Sequence, residues 1–500
     1  MKHTHTLKAV LFSGLASICS FAVIAETNTD MKDWIGTEES WLEAGKATVD
    51  QKVAQKINTK RAKNVILFIG DGMGISTLTA GRILEGQLAG NPGEENYLSF
   101  EKFPYSALVK TYNVDSQVAD SAGTATAFNT GAKTRLGVIN TVPTLDRSHC
   151  DDIEHNKLTP IAAYAERAGL STGVVSTARL THATPAAVYA NSPDRDWEAD
   201  TDVPAEAKTA GCTDIASQII ETMGGNGLEV ALGGGRANFL PKGTMDGKRA
   251  DGKNIVKDWQ SAFAGSAFVT NKAELENIDY TKTQHLLGLF SPSHMDYDDR
   301  RSADQPELAE MAESAIKMLS KNENGYFLMV EAGRIDHGHH EGNAHKALYD
   351  TVALSKAVRR TLELVDTEET LILVTADHSH TFTIAGYARR GNPIFGLVSP
   401  AALPEGELQK ALDGKPYTTL GYANGPGAVK GERSELTDAE TQNKDFKQQS
   451  LMPLHSETHG GEDVGLFAIG PWSHLATGTI EQNVIFHIMD HALDLRNRAK

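Results

Sequence analysis

Short apolar runs bounded by turn residues recur along this chain and alternate with stretches that carry apolar residues at helical spacing. Residues 65–69, 107–111, 172–176, 228–232, 326–330, 371–374 and 466–469 read as strands, and 307–320, 345–365 and 484–495 as amphipathic helices. This alternation predicts the α/β class: a mostly parallel central sheet flanked by helices on both faces. One region departs from it. Residues 386–453 are rich in Gly, Pro and polar side chains, with Gly414-Lys-Pro, Asn424-Gly-Pro-Gly and Ser434-Glu-Leu-Thr-Asp. Tyr417, Tyr422 and the run Ile394-Phe-Gly-Leu-Val could support packing, so the region reads as an inserted subdomain rather than a linker. Residues 31–57 read as an exposed helical arm that could embrace a partner subunit.

Polar clusters fall at the ends of the predicted strands. Asp71 follows 65–69, Glu331 follows 326–330 and Asp377 follows 371–374. Open parallel sheets bind ligands at their carboxyl edge, so these carboxylates are expected to converge in one crevice.

Composition narrows the class. With 40% hydrophobic and 23% charged residues, the 500-residue chain has enough apolar material for a large core and no disorder signature. Lys2 and Lys8 precede an apolar run ending near Val23-Ile-Ala, so residues 1–25 read as a secretory leader cleaved after Ala25, leaving 26–500 as the mature chain. The run is short and broken by Ser13, Gly14, Ser17 and Ser20, which disfavours a membrane anchor. Removing Cys19 with the leader leaves Cys150 and Cys212, expected to pair in an oxidising compartment, periplasmic or extracellular. The net charge of -17, without a basic stripe, excludes a nucleic-acid surface. An anionic substrate would need local cations.

Candidate chemistry centres on Asp120-Ser-Ala-Gly-Thr-Ala-Thr-Ala, where Ser121 opens a predicted helix. Four clusters accompany it: Asp71-Gly, Glu331-Ala-Gly-Arg-Ile-Asp-His-Gly-His-His, Asp377-His-Ser-His and Glu457-Thr-His. Asp336 and His340 are four apart, which puts a carboxylate and an imidazole on one helical face, a metal-ligand spacing. Taken singly, the His-rich turn could be a solvated surface, Asp377-His378 an ordinary strand end and His459 a loop residue. A serine among such ligands is what a metal-activated nucleophile requires.

With these motifs in order along the chain, and with Asn64-Val-Ile-Leu-Phe-Ile-Gly-Asp-Gly-Met-Gly and Thr181-His-Ala-Thr-Pro-Ala besides, the sequence resembles the alkaline phosphatases. The resemblance spans nearly the whole mature chain. It implies hydrolysis of phosphate monoesters at alkaline pH through a phosphoserine on Ser121, beside Asp120, with Arg195 gripping the phosphate. It implies one zinc ion held by Asp336, His340 and His459 and a second held by Asp71, Asp377 and His378. A magnesium ion would be held by Asp71, Thr184 and Glu331, an all-oxygen set that suits it. His182 and His337, near the magnesium and the substrate phosphate, resemble the animal-type branch, as do the spacing of Cys150 and Cys212 and the crown-like position of 386–453. The branch also implies a homodimer in which Tyr387 reaches the neighbouring active site, with inorganic phosphate as product and inhibitor.

Two features of that branch do not carry over. Ser291 follows Leu289-Phe290 where an acidic calcium ligand belongs, and Asp258 alone remains of that set, which speaks against a calcium ion. No hydrophobic tail follows Leu495, so a lipid anchor is not expected. Sulfatases of the same superfamily need a proline two residues after the nucleophile, and Ser121-Ala-Gly has none. A binding protein with lapsed catalysis would have lost the nucleophile or a ligand, and every one of these positions is intact.

Overall fold

Residues 65–69, the run Val-Ile-Leu-Phe-Ile, are fully buried on both faces of their strand, the mark of a central strand in a parallel sheet covered on either side. The computed structural model describes residues 36–500. Its strands are β1 (Asn64–Gly70), β2 (Tyr105–Lys110), β3 (Ser171–Arg179), β4 (Val230–Gly234), β5 (Ser266–Val269), β6 (His285–Leu289), β7 (Tyr326–Ala332) and β8 (Thr370–Ala376). The later ones are β9 (Ser379–His380), β10 (Phe382–Ile384), β11 (Leu420–Gly425), β12 (Ser450–Pro453), β13 (His459–Gly460), β14 (Val464–Ile469) and β15 (Gly478–Glu481). Ten of them form one sheet in the order β15-β2-β14-β8-β1-β7-β3-β4-β6-β5, in which only β14 runs against the rest. This is the expected mostly parallel sheet flanked by helices.

Helical periodicity explains what covers it. The helix Leu308–Leu319 buries Leu308, Met311, Ala312, Ala315, Ile316 and Leu319, a stripe at three- and four-residue spacing, and the helices Ala344–Leu364 and Val484–Leu493 do the same. Each large apolar side chain buried this way contributes about 1.5–3 kcal/mol.

The observed strands extend or add to the predicted ones. β3 runs on to Arg179, with a register shift after Val175. β5, β6 and β15 were not legible. β6 is a short run interrupted by Gly288 and without a β-branched residue, while β15 is a half-exposed edge strand. Within residues 386–453, β11 and β12 join β10 in a three-stranded sheet. Phe382, Ile394, Leu420 and Tyr422 form a second core there with Ala344, Leu348 and Val352. The leader and Cys19 lie outside the described residues, as do the first residues of the arm. A separate unit ends at Gln55 and contains the helix Glu38–Ala54, capped by Thr37 and exposed along its length. Among the described residues no helix is long and apolar enough to cross a membrane.

Cys150 and Cys212 form a disulfide that closes a sequence separation of 62 residues. It sits in a satellite apolar cluster with Leu145, Ile153, Trp197 and Val203. Closing a loop of that length restricts the unfolded chain by roughly 4 kcal/mol. The double variant Cys150→Ser, Cys212→Ser is therefore expected to unfold at a lower denaturant concentration by up to that amount, with little change in the sheet. Equilibrium denaturation under non-reducing conditions measures it, and coincident midpoints would assign the disulfide no stabilising role.

Candidate active site

Three adjacent strands, β8, β1 and β7, each deliver one carboxylate to the same end of the sheet. Ile69 is in register with Glu331, and Gly70 with Ala376, so Asp71 and Asp377 leave neighbouring strands side by side. All three carboxylates are fully buried. Gly72 turns the chain at φ 70°, and a Cβ there would lie 2.4 Å from His380 Nε2, so only glycine fits. Its N–H donates to Asp377 Oδ1 at 2.9 Å.

Ser121 is the first residue of the helix Ser121–Thr130 and only 2% exposed. Its Oγ lies 3.2 Å from His378 Nε2 and 3.4 Å from Asp71 Oδ1. Asp120 caps this helix, accepting from the N–H groups of Ala122 and Gly123. The same carboxylate accepts from Asn113 Nδ2 at 2.9 Å, the Gly137 N–H at 3.0 Å and Arg195 Nη1 at 3.0 Å. Burial opposes its ionisation, but the Arg195 charge and the Gly137 and Gly123 N–H groups outweigh burial and hold the carboxyl below its usual range. Arg195 Nη2 lies 3.2 Å from His182 Nε2. A guanidinium is thus fixed beside the serine at a helix N-terminus, an arrangement suited to a phosphoryl group.

The histidines converge through a two-residue ladder. β13 pairs with β9 so that His459 faces His380. On the helix Arg334–His340, the four-residue spacing brings Asp336 and His340 together as the sequence predicts. His340 Nε2 and His459 Nε2 each lie 3.3 Å from Asp336 Oδ1 and 3.1 Å from one another. Their other nitrogens are anchored on backbone carbonyls, His340 Nδ1 on Glu457 at 2.6 Å and His459 Nδ1 on Ala119 at 2.7 Å. This fixes the tautomer and leaves both Nε2 atoms free to ligate.

Four donor groups result, in each of which the ligand atoms lie within 4.8 Å of one another: Asp336, His378, His380 and His459; His340, His380 and Glu457; Asp71, His182 and Glu331; and Asp71, Asp377 and His378. Two histidines not assigned from sequence emerge here. His380 bridges Glu457 Oε2 at 2.6 Å and Asp336 Oδ1 at 2.8 Å. Burial disfavours its cation, yet those two carboxylates push it up to about 10, so it donates from both nitrogens and orients Asp336. His294 packs on His337 with ring centroids 4.1 Å apart. His339 turns away to bond Thr77 and Tyr422. His182, expected beside the third site, falls within the same donor group as Asp71 and Glu331.

The donors fit metal cations on two grounds. Burial and then the Asp377, Asp336 and Glu331 charges raise Asp71 well above the carboxylate range, and burial raises Asp377 and takes Glu331 up to about 7. Without cations the cluster cannot carry its charge. Among the described residues, Asp71 Oδ2, Thr184 Oγ1, Glu331 Oε1, His182 Nδ1 and His337 Nδ1 are also buried with no hydrogen-bond partner.

Comparison with known proteins finds relatives over most of the chain. The family model for alkaline phosphatase matches residues 62–495. The chain is 46% identical over 469 residues to the tissue-nonspecific alkaline phosphatase of Felis catus, covering 90% of this chain and 88% of that one. It is 45% identical over 468 residues to the alkaline phosphatase of Gadus morhua, covering 90% and 96%. The solved structure of Thermus thermophilus alkaline phosphatase is similar with a TM-score of 0.63 and 25% identity, covering 88% of this chain and 93% of that one.

A carboxyl group raised in the fold stabilises the fold below its unfolded value, and that contribution is lost as pH rises through the folded value. For Glu331 the window runs from the ordinary carboxyl range to about 7. In metal-stripped protein, Glu331→Gln is therefore expected to gain stability relative to the unaltered chain as pH rises through this window. Thermal unfolding of both proteins across the pH series measures the difference, and a constant gap would remove Glu331 from the shared-charge cluster.

Proposed function

This chain belongs to the alkaline phosphatase family and hydrolyses phosphate monoesters, and we propose that it does so through a phosphoserine formed on Ser121. The observation that carries this reading is Ser121 Oγ, buried at a helix N-terminus between Asp71, His378 and the Arg195–Asp120 pair. In the first step Ser121 Oγ loses its proton and bonds to phosphorus, while the ester bond breaks and the alcohol oxygen leaves with the bonding pair to take up a proton. In the second step, water attacks the phosphoserine and Ser121 Oγ departs, releasing inorganic phosphate. Arg195 holds two phosphoryl oxygens through both steps, since its planar fork matches them and Asp120 fixes its plane. The N–H groups opening the helix Ser121–Thr130 favour negative charge on the group attached there.

Asp336, His340 and His459 would hold one zinc ion, Asp71, Asp377 and His378 a second, and Asp71, Thr184 and Glu331 a magnesium ion beside His182. When bound, these cations lower the pKa of the serine hydroxyl and of water and neutralise the phosphoryl charge. The mixed carboxylate and imidazole donors support zinc in the first two sets, and the oxygens of the third support magnesium.

The leader over residues 1–25 would export the chain to the periplasm or the medium, a location that the disulfide supports. A homodimer is supported by Tyr387, which is 91% exposed, and by the exposed apolar side chains of Tyr112, Val114, Leu451 and Met452. In that dimer Tyr387 would reach the neighbouring site. Residues 386–453 would form the crown and 31–57 the arm around the partner.

Ser121→Ala is expected to lower turnover of a chromogenic phosphate monoester by at least about a thousandfold with zinc content unchanged. Mass spectrometry of acid-quenched native enzyme should find the phosphate on Ser121, and a variant that retains substantial rate excludes the phosphoserine. Arg195→Ala is expected to weaken phosphate binding by roughly 2 kcal/mol, about thirtyfold, seen as a raised KM and weaker product inhibition. Unaltered phosphate inhibition would assign the anion clamp to another residue.

A further inference from the structure

His294 lies on the segment after β6, far in sequence from every other residue of the site. That segment is seated firmly on the sheet: Phe290 N–H donates to Gly233 O, Gly235 N–H to Ser293 O, Arg236 N–H to Ser291 O and Met295 N–H to Thr177 O, at 2.7–3.0 Å. A Cβ on Gly234 would stand 2.2 Å from Ser293 O, so the segment lies directly on the end of β4.

The result is a closed triangle of imidazoles. The His294 ring centroid is 4.1 Å from that of His337 and 5.3 Å from that of His182, which are 5.4 Å from one another. His294 is in turn fixed from behind. Arg179 binds the Glu198 carboxylate through Nε and Nη2 and donates from Nη1 to His294 Nε2. Glu198 also accepts from Thr181 Oγ1 and Asn238 Nδ2, so the arginine cannot swing away. The Arg179 backbone N–H also points at His294 Nδ1, at 3.3 Å, so both ring nitrogens face donors of the same arginine and the imidazole is kept neutral. On the far side of the triangle, His182 meets Arg195, and the Nδ1 atoms of His182 and His337 are buried and unpartnered among the described residues.

We propose that His294 is a positioning residue for phosphate binding, which acts by holding the rings of His337 and His182 in place and does not touch the substrate. The inference rests on the reading that phosphate is held between Ser121 and Arg195. Without the His294 ring, both imidazoles gain rotameric freedom that bound phosphate must then remove. Substrate and product complexes are weakened alike, so KM and the phosphate inhibition constant rise together while kcat is little altered.

The test uses metal-loaded enzyme with a chromogenic aryl phosphate as substrate and inorganic phosphate as inhibitor. His294→Ala is expected to raise KM and the phosphate inhibition constant in parallel by about tenfold, the scale of freezing two side-chain rotors, with zinc content unchanged. His294→Phe, which refills the ring volume, should restore both constants. Unchanged constants in His294→Ala, or a fall in kcat at constant KM, overturn the inference. If His294→Ala fails to fold or loses zinc, His294→Phe decides: native constants support packing, and raised ones overturn it. Arg195→Ala in the same assay separates the two readings. Loss of phosphate binding there with none in His294→Ala sinks the His294 inference alone, whereas no loss in Arg195→Ala sinks the phosphate site itself.

Discussion

Four carboxylates held out of water in one crevice set the terms for the surrounding structure. Asp71, Glu331, Asp336 and Asp377 lie within mutual electrostatic reach, and each ionised carboxylate carries a desolvation cost of several kcal/mol. The sheet brings three of them together by topology, because β8, β1 and β7 are immediate neighbours. Asp336 alone is held well below the carboxylate range, since the imidazoles of His340, His380 and His459 overcome its burial. The other three are left to be balanced by cations. A fold that concentrates charge to this degree is committed to ion-dependent chemistry before any substrate arrives.

The donor groups are linked rather than separate. Asp71 belongs to two of them, and His378 belongs to one group with Asp377 and to another with Asp336. His378 also stacks on His459 with ring centroids 3.6 Å apart. Occupancy of one group therefore alters the charge and ring positions felt by the next, and Ser121, beside Asp71 and His378, sits where two groups meet. Ser121 is thereby exposed to the state of both.

Legibility in the sequence followed the range of the interactions involved. Asp71, Glu331 and Asp377 could be placed because each ends a buried apolar run, and Asp336 with His340 because four residues make one helical turn. The disulfide was readable from two remaining cysteines. His459 gained its place only through resemblance, since the ladder that delivers it is two residues long and leaves no periodic trace. The pairing of His380 with Glu457 depends on that same ladder. His294 was missed because β6, the strand before it, lacks the β-branched pattern that marks its neighbours. The donor group of His182 with Asp71 and Glu331 is likewise a contact between separate strand ends, which spacing cannot report.

The β9–β13 ladder has a consequence for how such a protein can diversify. The residues between His380 and His459 leave and return through one antiparallel pair, and the excursion between them also rests on the second core, where Ile394, Leu420 and Tyr422 pack against Ala344, Leu348 and Val352. Closure entropy grows only slowly with length, so a longer or shorter excursion changes the cost of holding that pair together very little. Mutational drift inside it can alter what the protein touches on its outer side, while the two histidines at its root keep their mutual spacing. The fold thus confines tolerance of length to the outer turns of the excursion, since Tyr422 and Glu457 within it hold His339, His340 and His380 in place.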